Sequence, residues 1–322
     1  MKFCVVGAGG VGGYFGGKLA GSGAEVWFLA RGAHLLAMQQ GGLRIRAIDE
    51  HFIVPPGRMT DRAEEVGACD VVLFCVKSYD TETAARMIRP LVGDRTIVIS
   101  LQNGIDNEET IRSLVPAGAV YGGIAYIYAT ITAPGEVGET GGPRKIVFGP
   151  LETERALADR RGADILAALR QAGILAELST DIRTELWKKF IFIGAAGGLT
   201  ALSRLTLGEI LAVEETRRLL EEAMLETAAV ARACGIVIDP TFIPGIFDTL
   251  RRFDNRGRSS MYYDLTHGKP LEIEAFSGTI VRLGALHGVP TPIHRMLHAM
   301  LLPHHLAHRE QSRNHGPDRT LS

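Results

Sequence analysis

Gly7-Ala8-Gly9-Gly10-Val11-Gly12 follows the apolar run Phe3-Cys4-Val5-Val6 and opens a helical pattern. In this spacing the first glycine permits a tight turn, the second lets backbone approach a pyrophosphate, and the third lets helix and strand pack closely. Free N–H groups at the positive end of the helix then face the phosphates. The chemistry implied is capture of a dinucleotide by backbone. An NAD site usually adds an Asp or Glu about 20 residues further on, at the end of the second strand, against the ribose hydroxyls. Here that end reads Phe28-Leu29-Ala30-Arg31, with no acid. Arg31 suits a 2′-phosphate and can stack on adenine, so the expected cofactor is NADP(H). Lys77, after Cys75-Val76, and Asn103, in Ser100-Leu101-Gln102-Asn103-Gly104, end two further strands. Both should reach the same crevice, because ligands of open α/β sheets lie outside the carboxyl ends of the strands.

Such side chains need a sheet to hold them. Short β-branched runs at 2–7, 25–30, 71–76, 96–101 and 120–128 alternate with helical spacing at 81–91 and 108–114. Several runs are apolar throughout, as parallel strands buried on both faces must be, which predicts a doubly wound α/β sheet of Rossmann type. Residues 42–54 and 136–148 are expected to form antiparallel hairpins, the second with turns at Pro134-Gly135 and Gly141-Gly142-Pro143. A helix over 152–172 and a strand near 174–179 follow. Beyond Asp181 the pattern is helical throughout, over 184–202, 207–234, 241–252, 273–287 and 293–307. The expectation is a nucleotide-binding domain over 1–180, an all-helical domain over 181–310 carrying substrate and catalysis, and a disordered polar tail over 311–322.

Composition narrows the function. A chain of 322 residues suits two domains. A net charge of −1 gives no reason to expect nucleic acid or an anionic membrane as partner. No apolar run reaches the ~18–20 residues of a membrane span, and the chain opens directly on a strand, so a cytoplasmic protein is expected. Cys4, Cys69, Cys75 and Cys234 are scattered, with no zinc spacing, and read as free thiols in a reducing compartment. Ten histidines include His294, His298, His304, His305, His308 and His315 near the C-terminal end, without Cys or carboxylate partners at ligand spacing, so no metal is expected. Apolar helix faces over 207–234 and 273–300 would serve a homodimer or a core equally well.

Taken together, these motifs resemble the ketopantoate reductase (2-dehydropantoate 2-reductase) family over roughly residues 1–300. The resemblance rests on the turn with Tyr14-Phe15-Gly16, on Leu29-Ala30-Arg31, Val76-Lys77-Ser78, Gln102-Asn103-Gly104 and Pro134-Gly135-Glu136-Val137. It continues through Glu185-Leu186-Trp187-Lys188-Lys189-Phe190, Leu199-Thr200-Ala201-Leu202, Ser259-Ser260-Met261 and Glu272-Ile273-Glu274. It implies a Rossmann domain followed by a helical domain, and reduction of the 2-keto group of ketopantoate with NADPH, a step of pantothenate synthesis. It also implies that Lys189 is the catalytic lysine, two residues after Trp187. Glu272 would be the glutamate that orients it beside the cofactor, and Ser260 and Asn103 would be substrate contacts. An ammonium at hydrogen-bond distance from a ketone oxygen would stabilise the charge that hydride addition builds, then donate a proton.

The chain departs from the family where substrate would sit. Asparagines usual four and eight residues after the lysine are replaced by Ile193 and Gly197. Losing an amide partner costs a polar substrate group about 1–3 kcal/mol. The same mechanism could therefore serve another branched or aromatic 2-keto acid, as in the related mandelate-type D-2-hydroxyacid dehydrogenases. A non-catalytic NADPH-binding sensor is a third reading, opposed by retention of Lys189 and Glu272.

Overall fold

The computed structural model describes residues 1–115, 117–151, 160–251 and 257–314. One compact unit spans Met1–Ile182, and a second begins at Arg183.

In the first unit, β1 (Lys2–Val6) leads through α1 (Gly10–Gly21) to β2 (Glu25–Leu29), and α2 (Gly32–Gly41) follows. The short hairpin β3 (Leu43–Arg46) and β4 (His51–Val54) precedes β5 (Met59–Thr60), α3 (Ala63–Val66) and β6 (Val71–Phe74). Then come α4 (Thr81–Met87), β7 (Ile97–Ser100), α5 (Asn107–Leu114), β8 (Ala119–Ala133), β9 (Glu136–Pro150), α6 (Arg160–Gln171) and β10 (Leu175–Leu178). The strands form one sheet ordered β4-β3-β9-β8-β7-β6-β1-β2-β5, with β10 added beside β9. From β5 to β8 every neighbouring pair is parallel. Alternation along β1 sends Phe3 and Val5 into one core layer and Cys4 and Val6 into the other, all with 0% exposure. Burial on both faces explains why β6 and β7 are apolar almost throughout. Strand order reverses at β1, so the carboxyl ends of β1 and β6 flank the switch point at which such sheets take their ligands.

The hairpin expected at 42–54 forms as β3 and β4. The one expected within 136–148 does not. Those residues belong to a single strand, β9, whose antiparallel partner is β8 and whose turn is Pro134-Gly135. The expected turn at Gly141-Gly142-Pro143 lies at a bulge: Tyr126 pairs with Lys145 and Tyr128 with Gly141, so Gly142, Pro143 and Arg144 on β9 face Ile127 on β8. Gly141 (φ +142) and Gly142 (φ +90) adopt backbone that absorbs the extra residues without ending the strand.

The second unit is helical throughout its described residues: α7 (Ile182–Ser203), α8 (Leu207–Ala212), α9 (Glu214–Ala233), α10 (Phe242–Leu250), α11 (Ser260–Thr266), α12 (Thr279–His287) and α13 (Pro292–Asn314). Three expectations need correction. The segment read as one helix over 207–234 breaks at Val213 (φ −110, ψ 127). A Thr206–Glu209 capping box starts α8, and Glu214 and Glu215 favour a fresh N-terminus for α9. The helix read over 273–287 opens instead as a π-turn, Glu274–Gly278, in which the Gly278 N–H reaches back to the Ile273 carbonyl at 2.9 Å. At the tail, helix continues through Gln311 to Asn314. The expected helix at 152–159, Arg252 and the tail from 315 onward lie outside the described residues. Among the described residues no helix is long and apolar enough to cross a membrane.

Candidate active site

The nucleotide turn is held by contacts that only glycine allows. Gly7 sits at φ +91, and its N–H donates to the Leu29 carbonyl at 3.0 Å. A β-carbon on Gly12 would stand 2.1 Å from the Gly7 carbonyl oxygen, which is the close helix–strand packing the motif requires. Gly10 is forced for a reason its place in the motif does not state: a β-carbon there would lie 2.0 Å from the Ala129 carbonyl oxygen on β8. Gly9 caps α1 without a side chain, so no side chain competes for the first N–H groups. Val11 packs against the core. These features fit the pyrophosphate of a dinucleotide.

His34 braces this turn and carries no signal in the sequence. The Gly135 N–H donates to its Nδ1 at 3.0 Å, so its Nε2–H donates to the Ala8 carbonyl, also at 3.0 Å. Burial lowers the pKa of this ring, consistent with the neutral form that geometry demands.

Arg31 ends β2 and caps α2. Its Nη2 lies 3.7 Å from Asp80 Oδ2, with both side chains about one-fifth exposed (20% and 22%). An acid absent from the end of β2 is thus brought alongside from the loop after β6. Lys77 begins the 3₁₀ turn Ser78–Asp80, where the Asp80 N–H donates to its carbonyl at 2.9 Å. Gln102, only 5% exposed, ties that loop to the Asn103 loop: its Nε2 donates to the Val76 carbonyl (2.9 Å) and to Thr81 Oγ1 (2.8 Å). Asn107 Nδ2 donates to the Asn103 carbonyl at 2.9 Å. Lys77 and Asn103 are therefore fixed at the ends of β6 and β7, beside the turn on β1.

In the helical unit, Lys188 and Lys189 diverge. Lys188 pairs with Glu185 at 2.8 Å, one turn back on the outer face. Lys189 is half-buried, and its charge interacts with the carboxylate of Glu272, itself only 6% exposed. Burial pulls the Lys189 ammonium down to about 8, while Glu272 draws it back up. Glu272 enters the π-turn, its carbonyl accepting from the Phe276 N–H at 3.1 Å. Phe276 meets Phe190 edge-on at 6.0 Å, and Phe190 meets Trp187 at 6.1 Å, so an aromatic row couples the lysine helix to the Glu272 turn.

Ile193 and Gly197 follow Lys189 at four-residue steps along α7, on one face. Ile193 is half-buried and Gly197 is covered by the Phe276 ring. Ser260 is exposed at the first position of α11. Its neighbour Ser259, missed as a functional residue, makes the attachment: Ser259 Oγ accepts from Thr200 Oγ1 at 2.7 Å and donates to the Gly197 carbonyl at 3.3 Å. Contacts within this unit therefore link Lys189, Glu272, Phe276, Gly197 and the Ser259-Ser260 start of α11.

The arrangement has known relatives. The family model described as "Ketopantoate reductase PanE/ApbA" matches residues 3–153, and "Ketopantoate reductase PanE/ApbA C terminal" matches 181–305. The chain is 32% identical over 315 residues to a 2-dehydropantoate 2-reductase of Mesorhizobium japonicum, covering 91% of this chain and 94% of that protein. A crystal structure of a PanE/ApbA family ketopantoate reductase from Ralstonia eutropha aligns with a TM-score of 0.87 at 34% identity, over 96% of this chain and 100% of that one. At 24% identity, the ternary structure of D-mandelate dehydrogenase with NADH and anilino(oxo)acetate shares the fold, with a TM-score of 0.86 over 96% of this chain and 99% of that one.

Proposed function

The chain belongs to the ketopantoate reductase family, and we propose that it reduces a small 2-keto acid to its 2-hydroxy acid with NADPH, nominally 2-dehydropantoate to (R)-pantoate. The observation that carries this reading is Lys189, half-buried beside the buried carboxylate of Glu272. When bound, the cofactor supplies hydride to the carbonyl carbon. Gly7, Ala8, Gly9, Gly10, Val11 and Gly12 offer the backbone cradle for its pyrophosphate. Arg31 is assigned to the 2′-phosphate, and Lys77 and Asn103 to the same crevice. Lys189 donates a hydrogen bond to the ketone oxygen, stabilises the negative charge that grows there, and then gives up the proton. Glu272 keeps the ammonium charged and oriented where burial would discharge it. Ser260 is assigned to the substrate carboxylate. The reaction is placed in the cytoplasm, in keeping with a reduced cofactor and free thiols.

A second reading keeps this mechanism and enlarges the substrate. Phe276 over Gly197, together with Ile193, presents carbon where family members offer amides. An aryl or larger branched 2-keto acid suits such a wall, and a D-mandelate dehydrogenase shares the fold. Steady-state kinetics on a panel of 2-keto acids separates the two. If 2-dehydropantoate gives a kcat/KM about 100-fold below the best alternative, about 2.7 kcal/mol of transition-state binding, the pantoate assignment is wrong.

A further inference from the structure

Histidines concentrated near the C-terminal end share a partner. Five of them lie along α13, and four of these bond the segment that carries Glu272. His308 Nδ1 donates to the Lys269 carbonyl at 2.9 Å, and the Leu271 N–H donates to His305 Nδ1 at 3.1 Å. His298 Nε2 lies 3.1 Å from Glu274 Oε2, and His294 Nδ1 lies 3.2 Å from Ser277 Oγ. Steps of four, seven and three residues keep the four rings within a roughly 80° stripe of the helix that also holds the buried Leu301, with the buried Leu297 at its edge. Among the described residues no group of three or more His, Cys, Asp or Glu is placed to hold a metal.

Of the four bonds, that of His305 falls nearest the site, its partner Leu271 standing one residue before Glu272. Because the Leu271 N–H points at Nδ1, that nitrogen carries no proton and the ring is neutral. His294 is kept neutral by burial, with its Nε2 facing the Ala223 carbonyl and the Thr227 hydroxyl and its Nδ1 facing the Ser277 hydroxyl. Both rings are buried, at 4% and 0% exposure. Glu272 is thus held from both sides, through Leu271 before it and through the π-turn after it. A proton on His305 Nδ1 would set two N–H donors against each other in a buried place.

We propose that His305, seconded by His294, is a positioning residue that holds Glu272 against Lys189, and that protonation of His305 releases the Leu271–Glu272 peptide and lowers turnover in mild acid. The proposal rests on Lys189 and Glu272 being the catalytic pair. Groups facing His305 act in both directions. Arg309 and His308 on its own helix oppose the added proton, and Glu274 on the π-turn favours it. Burial weighs most and lowers the pKa of the ring, so the loss belongs below the ordinary histidine range.

The test compares His305→Asn with His305→Leu in the full-length protein. Asparagine places an amide oxygen near the position of Nδ1 and cannot be protonated in this range. Leucine keeps apolar bulk and removes the acceptor. Three quantities are followed between about pH 5 and pH 8: kcat, NADPH affinity, and hydrogen-exchange protection of peptides covering 269–276. His305→Leu should lose about tenfold or more in kcat at every pH with NADPH affinity unchanged. His305→Asn should stay within about threefold of wild type at neutral pH and lose the acid-side decline. Protection around Leu271 should fall with acid in the wild type, stay low in His305→Leu, and stay high in His305→Asn. A wild-type kcat and pH profile in His305→Leu overturns the proposal. So does wild-type protection that ignores pH, which decides the matter even if His305→Leu fails to fold. If Lys189→Ala retains turnover, the catalytic pair is wrong, while the exchange data still report whether His305 holds the segment.

Discussion

Phe276 lies over Gly197, close enough that a β-carbon at 197 would stand 3.3 Å from the ring atom Cε2. The glycine and the aromatic ring are therefore a matched pair, and restoring an asparagine at 197 alone should fail. Gly197→Asn forces the ring aside, an overpacking cost of about 1–3 kcal/mol. Phe276→Ala leaves a void of its own but clears the space. In a double-mutant cycle read by chemical denaturation, the pair should be less destabilised than the sum of the singles by about 1 kcal/mol or more. Strict additivity would show that the two positions do not share space.

Lys189 should dominate the chemistry and depress stability at once. Lys189→Ala should lose several orders of magnitude in turnover while NADPH binding, read by fluorescence titration, stays close to wild type. An ammonium brought down to about 8 is protonated below that pH, so the rate of ketone reduction should hold in the neutral range and fall as pH rises through about 8. The stability linkage has the opposite sense to that of a paired surface lysine. The folded pKa lies below the unfolded one, so folding sheds a proton between about 8 and 10.5 and stability rises with pH across that window. Lys189→Met should be inactive, and its stability should no longer rise with pH between about 8 and 10.5. Equal turnover in Lys189→Ala would remove this residue from the reaction.

The parts of the site legible in the sequence are those whose constraint is local. Gly7 needs its positive φ and Gly12 its contact with Gly7, and both needs are met within six residues. The parallel strands were legible because burial on both faces leaves almost no polar positions in runs such as β6 and β7. Lys189 has no local signature: beside Lys188, which does face outward, it reads as a solvated helix surface until Glu272 is brought to it. His34 and His305 were illegible because they bond backbone groups, and a backbone partner leaves no mark on residue identity. The π-turn at Glu274–Gly278 passed as helix because one extra residue barely disturbs the apolar spacing.

Cofactor choice should turn on Arg31 and Asp80 together. Arg31→Ala should raise the Kd for NADPH far more than for NADH, because only the former carries a 2′-phosphate for the guanidinium to meet. Asp80, 3.7 Å from Arg31, would set a negative charge near a phosphate bound there. Asp80→Asn should tighten NADPH by about threefold, within what a partly exposed charge contributes, and leave NADH unchanged or weaker. Titration of both cofactors against both variants is decisive. If Arg31→Ala weakens the two cofactors equally, the 2′-phosphate assignment is mistaken.

Acid should unfold the helical unit in part through His294. Burial draws this imidazole from 6.5 down to about 4, so the folded state resists a proton that the unfolded state takes readily. The stabilising contribution of the neutral ring is complete above the unfolded value near 6.5, declines as pH falls, and is gone below about 4. Its full size is about 3 kcal/mol. His305, also neutral and buried, acts in the same direction, so the wild type alone cannot apportion the effect. Comparison with His294→Gln can. That variant should be less stable at pH near 8, because Ser277, Thr227 and the Ala223 carbonyl lose their shared partner. Its stability should also fall less steeply between about pH 6.5 and 4 than that of wild type, in urea melts at successive pH values. Parallel curves would mean that His294 does not titrate across this window.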